Sequence, residues 1–428
     1  MLTSNTKRRL AFGLAAAAIG ATLVGGSAAG PASADPTQLT ALVGMGSDTT
    51  QDVMNALSGF NNGINYTAIN SGAATNYRHI ISFDASPAQS AGDNCVTPVI
   101  NGPTFTRPNG SGAGRKALFA GSGLSAAGWT GSTFTLDNGT VLPTCATTVN
   151  IAGAVNFARS SSVSGTAGTD VTYIPFGRDA VTFASYRPGG GTPVSTLTRL
   201  QLIQAYDNAT LLTIPDPDGS GTLTVVPCGI QTSSGTMQFF RDTVTQSNVA
   251  NEAAAVNTCT PTAASRLQES KGDLLKIKGD ALDATMDDFV VITGYSAAAY
   301  IAQANLVSNP NGFNQIQIGS ISDDTTTGTG GPSNNIGSPI QGVAPALTPN
   351  PTFYASTAVG RNVYNVIRRS LIVNGAGTLL NNAFTALFAT PTSKVCSATA
   401  TINTFGFASI ANCGEYNVTN RAWDTGVS

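Results

Sequence analysis

Glycine and small hydroxyl residues recur at three places where the chain leaves a strand or enters a helix. They form GSDTT at Gly46–Thr50, ARSSS at Ala158–Ser162 and SSGT at Ser233–Thr236. The first turn of a helix presents unpaired backbone N–H groups and the positive end of the helix dipole. Hydroxyls add donors, and glycine permits the close approach of a bound group. These residue types suit the binding of an anionic or carboxyl-bearing ligand.

Each segment also has a simpler interpretation as an ordinary helix cap. Ser47 or Asp48 would serve as the N-cap residue, and Gln51 stands at the capping-box position if Asp48 is the cap. A single segment favours the cap. Three of them in one α/β chain favour a shared ligand site, because ligands of such folds gather at the carboxyl ends of strands.

The sequence offers little for catalysis or metal binding. His79 is the only histidine, no G-x-S-x-G motif is present, and no C-x-x-C pair occurs. We therefore expect that the protein is not an enzyme and has no metal site and no cofactor. A secreted phosphoesterase is the remaining catalytic alternative, and it would need a metal or a nucleophile–base pair that the sequence does not show.

Apolar periodicity predicts strands that alternate with helices, which indicates an α/β protein with a largely parallel or mixed sheet. The predicted strands are Ala41–Gly46, Val149–Ala158, Val171–Tyr186 and Thr222–Ile230. The predicted helices are Thr49–Leu57, Leu197–Asp207 and Thr236–Gln246, and Asp287–Val307 combines one more strand with one more helix. Residues 85–130 predict a long excursion, and residues 322–339 a polar, mobile loop.

The first residues have the pattern of a secretory signal peptide. Basic residues at positions 7–9 precede an apolar run, and the small-residue stretch ends at Ala34, after which we expect cleavage. The protein is therefore expected to be secreted, extracellular or associated with the cell wall, without a membrane span after signal removal. Only 10% of the residues are charged and the net charge is −2, which argues against nucleic acid as a partner.

An even number of cysteines in an exported chain predicts disulfides. Six cysteines allow 15 connectivities, and the simplest joins neighbours along the chain. The expected bonds are Cys95–Cys145, Cys228–Cys259 and Cys396–Cys413.

Several motifs, in this order along the chain, resemble actinobacterial secreted substrate-binding proteins, which are related to the phosphate-binding proteins of ABC importers. The resemblance covers most of the chain after residue 34 and is weakest at 85–130 and 322–339. The motifs are GSDTTQDVMNAL, RPNGSGAG, VNFARSSS, YIPFGRDAVTFA, LTRLQL, SSGTMQFF, ITGYSAAAYIAQ and RNVYNVIRRS.

The resemblance implies a two-lobed α/β fold of the periplasmic-binding-protein type, which closes on a ligand between its lobes. It implies lobe 1 at residues 35–184 and 296–428, and lobe 2 at residues 185–295. By motif match, the ligand-binding residues are Gly46, Ser47, Asp48, Thr49, Thr50, Ser160, Ser161, Ser234, Gly235 and Thr236.

The chain departs from the phosphate binders in ways that make phosphate doubtful as the ligand. Ser161 stands where those proteins carry an aspartate, and Ile230 and Thr232 stand where they carry an arginine and an aspartate. Arg159 could bind a ligand oxyanion or pair with Asp48 across the cleft, or it could form a surface salt bridge.

These observations favour an extracytoplasmic, monomeric solute-binding protein that captures a small anion or polar solute, with an ABC permease as the implied partner. The alternative is a secreted structural or adhesive protein that keeps the binding fold without transport. The absence of a cysteine at the expected cleavage site favours this alternative, since a lipid anchor would attach there.

Overall fold

The computed structural model describes residues 41–423 except positions 75, 86–93, 125–128, 130–133, 136–140, 143–144, 146–147, 164, 220, 323–335 and 375–376. The expected signal peptide, most of the loop predicted at 322–339 and part of the excursion predicted at 85–130 lie outside the described residues.

The strands include one very long strand and several short ones. They are β1 (Leu42–Gly46), β2 (Phe60–Asn61), β3 (Ile64–Asn65), β4 (Ile80–Ser82), β5 (Cys95–Val96), β6 (Phe105–Thr106), β7 (Phe134–Thr135), β8 (Val141–Leu142), β9 (Phe157–Ser160), β10 (Ala167–Tyr186), β11 (Thr196–Thr198), β12 (Leu212–Pro215), β13 (Thr222–Pro227), β14 (Phe289–Ser296), β15 (Gln317–Ile318), β16 (Ser320–Ser322), β17 (Ile340–Gln341), β18 (Thr348–Pro349), β19 (Gly360–Arg368) and β20 (Asn420–Arg421).

The helices are short, and most of them connect the strands of the sheet. They are α1 (Gln51–Ser58), α2 (Gly110–Gly121), α3 (Arg199–Asp207), α4 (Gly235–Phe239), α5 (Val249–Ala255), α6 (Gly272–Leu282), α7 (Ala297–Ala304), α8 (Pro351–Ala355), α9 (Ser370–Val373), α10 (Leu379–Phe388), α11 (Lys394–Ser397) and α12 (Thr399–Thr404). Among the described residues, no helix is long and apolar enough to cross a membrane.

A mixed ten-stranded sheet runs through the molecule in the order β12-β13-β14-β10-β19-β9-β1-β4, with β15 and β20 added against β10. The 20-residue strand β10 joins its two halves. From Val171 to Ala180 it pairs antiparallel with β19, and from Val181 to Tyr186 it pairs antiparallel with β14. One half of the sheet therefore contains β19, β9, β1 and β4, and the other contains β14, β13 and β12.

Each half of the sheet has its own hydrophobic core on both faces. In β14, Val290 and Ile292 belong to one cluster of buried side chains, whereas Phe289 and Val291 belong to another. In β1, Leu42 and Val43 divide in the same way between two further clusters. This alternation follows from the two-residue period of a strand that is covered on both faces.

The mixed sheet with its helices confirms the predicted α/β class, and its two halves form the two lobes. The two halves belong to a single compact unit, Ala34–Ser428. The lobe limits at residues 184/185 and 295/296 remain a proposal.

Three predicted elements need correction. The strand predicted at Val149–Ala158 is limited to β9, because Gly153 turns the chain with φ 79° and the Asn156 side chain accepts a hydrogen bond from the Val43 N–H. The predicted helix Thr236–Gln246 divides into α4 and a π-helical turn at Phe240–Val244. The excursion predicted at 85–130 contains the 12-residue helix α2.

All three expected disulfides are present, with Cα–Cα distances of 5.5 Å for Cys95–Cys145, 5.0 Å for Cys228–Cys259 and 5.8 Å for Cys396–Cys413. Disulfides are typical of proteins that fold in an oxidising compartment outside the cytoplasm.

Helix α2 packs directly on the end of β1, where the first hydroxyl segment begins. A Cβ atom on Gly114 of α2 would come within 2.5 Å of the Gly46 Cα and 2.9 Å of the Met45 carbonyl oxygen. Both are backbone atoms that cannot turn aside, so only glycine fits this contact.

We expect Gly114→Ala to lower the free energy of unfolding by about 1–3 kcal/mol, because the added methyl group overpacks this contact. Urea unfolding measures the loss. Gly219→Ala is the matched control, since a Cβ there meets nothing within 4 Å. If the two variants unfold at the same urea concentration, the close packing of α2 on β1 is contradicted.

Candidate functional site

Two of the predicted hydroxyl segments meet between the halves of the sheet. Thr49 precedes α1 in one half, and Thr236 lies in the first turn of α4 in the other half. Their Oγ1 atoms lie 3.1 Å apart although the residues are 187 positions apart in the sequence. Both side chains are buried. The convergence predicted for these two segments is therefore present.

An arginine that the sequence did not single out binds both threonines. The Arg361 side chain is 5% exposed, and its Nη2 donates to Thr236 Oγ1 at 2.6 Å and to Thr49 Oγ1 at 3.2 Å. Asp179 holds the guanidinium by accepting from Nη2 at 2.8 Å and from Nε at 3.1 Å. Asp179 is itself fixed by the Ser296 hydroxyl at 2.9 Å and the Ala298 N–H at 3.1 Å.

The side chain of Glu269 occupies the space that these hydroxyls surround. Its Oε1 accepts from Thr236 at 2.7 Å and also from Thr49, and its Oε2 accepts from Ser234. The loop that carries Glu269 is held in place because the Leu267 N–H donates to the Gly229 carbonyl at 2.9 Å. A carboxylate of the chain itself thus takes the hydrogen bonds predicted for a bound anion.

Burial raises the pKa of Glu269 above its ordinary value. The positive charge of Arg361 and the hydrogen bonds from Ser234 and Thr236 lower the pKa and offset part of this effect, while the charge of Asp179 raises it further. Glu269 therefore takes up a proton more readily in the folded protein than in the unfolded chain.

A second group of hydroxyls lies next to the first. Ser161 Oγ accepts from Ser47 Oγ at 3.1 Å and lies 3.3 Å from Ser111 Oγ. A Cβ on Gly235 would come within 2.5 Å of both Ser111 Oγ and Ser161 Oγ. Ser47, Ser161 and Gly235, which belong to three different predicted segments, therefore share one contact region.

Ser160 is not part of this contact region. Its hydroxyl donates to the Ser162 carbonyl at 2.6 Å and accepts from Arg115 Nη1 at 3.2 Å, all within the first half of the sheet. Ser162, one position beyond the predicted pair, instead reaches α4 and donates to Gln238 Oε1 at 3.0 Å.

The alternative interpretation of Ser47 or Asp48 as the N-cap of α1, with Gln51 in a capping box, is wrong. The N-cap residue is Thr50, and its side chain makes no capping hydrogen bond. The Gln51 side chain instead accepts from the Ala85 N–H at 2.9 Å. Thr50 Oγ1 is buried without a hydrogen-bond partner among the described residues. At α4, by contrast, Ser234 is a true N-cap that accepts from the Met237 N–H at 3.0 Å.

Arg159 lies in β9 with its side chain fully buried, which excludes the surface salt bridge, one of the alternatives that the sequence left open. Its guanidinium donates to the Phe83 carbonyl at 2.7 Å, the Ser47 carbonyl at 3.3 Å and the Gly46 carbonyl at 3.4 Å. Burial lowers the pKa of Arg159 to about 10, which leaves it charged at neutral pH. Its contacts place it as a support for the turn after β1.

Arg361 of β19 and Asp179 of β10 bring an arginine–aspartate pair to the first turn of α4. The sequence signal for Arg361 was a basic residue at the start of an apolar strand, and the signal for Glu269 was an isolated acid before α6. Neither signal points to a site without the tertiary contacts.

Two cavities of very different size flank the hydroxyl cluster. The smaller one has a volume of about 30 Å³ and is lined by Asp48, Thr49, Glu269 and Lys271 among others. It has room for about two water molecules. The larger one has a volume of about 440 Å³, and its walls include Ser161, Arg178, Gln238 and Arg361.

His79, the histidine that the sequence offers for catalysis, lines neither of these cavities. The His79 Nδ1 lies 3.0 Å from the Ile69 carbonyl oxygen, in the first half of the sheet. Among the residues that the structure describes, no three His, Cys, Asp or Glu side chains group as metal ligands would.

No protein family matches the sequence, and no curated protein matches it. Solved structures do match. A possible phosphate-binding protein from Planctomyces limnophilus is 12% identical, with a TM-score of 0.33 over 87% of this chain and 94% of that one. A phosphate-binding protein from Stenotrophomonas maltophilia is 13% identical, with a TM-score of 0.37 over 87% of this chain and 91% of that one. An ancestral soluble variant of the human phosphate-binding protein is 15% identical, with a TM-score of 0.40 and the same coverage.

We expect Arg159→Met to lower the free energy of unfolding by about 2–4 kcal/mol, because buried carbonyl oxygens lose their donor. Chemical denaturation at neutral pH measures this. Arg241→Met, which removes an arginine from a partly exposed pair with Asp242, should change the stability by less than about 1 kcal/mol. If both variants unfold alike, the supporting role of Arg159 is wrong.

The stability should fall as the pH rises from about 4 to 7. Burial raises the pKa of Asp52 in α1 from 3.8 to about 6, and it raises the pKa of Glu269 as well. Both groups bind protons more tightly in the folded state, so their contribution is complete below the unfolded pKa and is lost as the pH rises through the folded pKa.

In Asp52→Asn, the free energy of unfolding should therefore fall by about 1–3 kcal/mol less between pH 4 and 6 than in the natural protein. Glu269→Gln should also reduce this fall. Urea unfolding at a series of pH values measures the slopes. A slope in Asp52→Asn identical to that of the natural protein would refute the assignment.

Proposed function

We propose that this protein is an extracytoplasmic solute-binding protein that captures a small anionic or polar solute between the two halves of its sheet. The observation that carries this proposal is the meeting of Thr49, Thr236 and Arg361 in one buried polar site. These residues come from three distant parts of the chain. Buried polar groups lower the stability of a protein unless they are hydrogen-bonded. The assembly of such a cluster from distant segments therefore suggests that the cluster has a function.

The contacts between the two halves support a closing cleft. The Gly112 N–H donates to the Ser233 carbonyl at 3.1 Å, and Asn109 Nδ2 donates to Gln268 Oε1 at 2.8 Å. Such hydrogen bonds each contribute only about 1 kcal/mol, since water replaces them when they open. A hinge at β10 and β14 with contacts of this kind can open to admit a solute and close around it.

The ligand class follows from the donors that face the cleft. Ser161, Ser162 and Arg178 line the larger cavity. Hydroxyls and a guanidinium bind oxyanions and carboxylates well, and hydroxyls also accept hydrogen bonds from polar neutral solutes. The resemblance to the substrate-binding proteins of importers supports uptake through an ABC permease as the purpose of capture. The disulfides support a location outside the cytoplasm.

A cognate ligand should raise the melting temperature, because it binds only the folded protein. The test is a thermal-shift panel of phosphate, sulfate, organophosphates, carboxylates and neutral sugars. A ligand at about one hundred times its Kd should stabilise the fold by about 2.7 kcal/mol. A flat melting temperature across the whole panel would refute the solute-binding proposal.

Thr49→Val and Thr236→Val test whether the binding site is the cleft. Each keeps the side-chain shape but removes a hydroxyl that accepts a hydrogen bond from Arg361. Arg361 lines the larger cavity beside the cluster, so its displacement should make the ligand-induced shift smaller. Thr213→Val is the control, because Thr213 is exposed on β12, far along the sheet. If a ligand is found and all three variants respond to it as the natural protein does, the site lies elsewhere.

The alternative of a secreted structural or adhesive protein also has an observation in its favour. Glu269 already satisfies the hydroxyls of Thr49, Ser234 and Thr236, so this cluster is complete without a ligand. Fractionation of cells and medium tests the uptake function, because a protein found only in the medium argues against uptake.

A further inference from the structure

We propose that the ligand of this protein is an organic anion, with a carboxylate or phosphate group on an apolar or ring-bearing body, and that it binds in the larger cavity between α4 and the start of β19. This inference rests on the proposed solute-binding function and specifies its place and ligand class. It differs from a site for an inorganic oxyanion within the hydroxyl cluster.

The hydroxyl cluster is not available to a free anion in this structure. Glu269 accepts the hydrogen bonds of Thr49, Ser234 and Thr236, and the charge of Arg361 is paired with Asp179. A second anion there would meet two carboxylates at close range, which is unfavourable in a buried site. The cavity beside Glu269, about 30 Å³, is also too small for such an ion.

The larger cavity has the size of an organic ligand. Its volume of about 440 Å³ falls within the range of about 300–1,000 Å³ that is usual for small-molecule sites. At about 15 Å³ per water molecule, as in the smaller cavity, this volume holds roughly 30 waters, so an inorganic anion would leave most of it empty. The size therefore favours a ligand with a carbon body.

The charge of the cavity wall favours an anionic group on that body. Arg178 is half-buried and donates only to neutral oxygens: the Asn362 side chain at 3.1 Å, the Ser356 carbonyl at 3.3 Å and the Tyr354 carbonyl. Its guanidinium has no carboxylate within salt-bridge distance in the described part of the chain. A partly buried cation without a contacting anion is a ready partner for a carboxylate or phosphate.

Arg361 lines the same cavity and has a spare donor. Its Nη1 is buried and has no hydrogen-bond partner among the described residues, whereas Nε and Nη2 are used by Asp179 and the threonines. Asp242 is the acidic side chain in the cavity wall, and it pairs with Arg241. The Asp242 carboxylate would repel an anion that binds in this cavity.

The rest of the wall suits the body of such a ligand. Phe239 and Tyr364 both line the cavity, and aromatic faces pack well against rings and apolar groups. Gln238 and Asn362 add polar groups that can orient a bound molecule. The wall therefore offers both aromatic rings and polar groups to a bound organic molecule.

Three matched probes test the ligand class by isothermal titration calorimetry: phenyl phosphate, inorganic phosphate and phenol. Phenyl phosphate should bind at least about tenfold more tightly than either of the others, because only it carries both the ring and the anion. Benzoate should behave like phenyl phosphate, which distinguishes an organic anion from a phosphate-specific site.

Two variants that should change the affinity for phenyl phosphate in opposite directions test the place of binding. Asp242→Asn removes the repelling charge and should tighten phenyl phosphate binding by about two- to fivefold at low salt. Arg178→Gln should weaken it by about tenfold or more. Asp280→Asn is the matched control, since Asp242 and Asp280 are each 46% exposed and each paired with a basic side chain, but Asp280 lies on α6 away from the cavity.

We expect Arg178→Gln to be less stable, because Arg178 also donates to the Tyr354 and Ser356 carbonyls. If Arg178→Gln does not fold, the result of Asp242→Asn decides. Inorganic phosphate that binds as tightly as phenyl phosphate, or phenyl phosphate binding that Asp242→Asn does not tighten, would overturn this inference and leave solute binding intact. Failure of phenyl phosphate and benzoate to bind at about 5 mM would also overturn it. The solute-binding function itself fails only when the complete thermal-shift panel is silent.

Discussion

The buried charge of Arg361 is the constraint on which the site depends. Its guanidinium is held by Asp179 and donates to Thr49 of one half of the sheet and to Thr236 of the other. Removal of one partner from a buried ion pair typically costs about 3–5 kcal/mol, because the other charge stays buried without compensation. Asp179 and Arg361 stand opposite each other on the paired strands β10 and β19, so this ion pair stays intact when the halves separate, and separation breaks the hydrogen bond from Arg361 to Thr236 instead.

The same charge explains why an acidic side chain is stable in the cleft. Through the two threonine hydroxyls, Arg361 is linked to Glu269, whose carboxylate would otherwise be isolated in a buried place. The hydroxyls accept from the cation and donate to the anion, so the single proton of each hydroxyl is already used. Recognition of a further group must then come from donors outside this network, and those donors line the larger cavity.

Much of the fold could be predicted from local patterns. The apolar strand β10 and the amphipathic helix α1 follow from periodicity, and the disulfides follow from pairing each cysteine with its neighbour. Local patterns were less useful where tertiary contacts decide the conformation. Helix α2 has several glycines that lower its helical propensity, yet it forms because it packs closely on β1.

The sequence by itself determined which segments carry small hydroxyl residues and that they stand at the ends of strands and the starts of helices, because those properties depend on neighbouring residues. Only the tertiary structure decided what these segments contact. Arg361 lies 182 positions from Asp179 and 125 from Thr236, and Glu269 lies 220 positions from Thr49. Contacts across such separations are set by the order and register of strands in the sheet, which no local pattern contains.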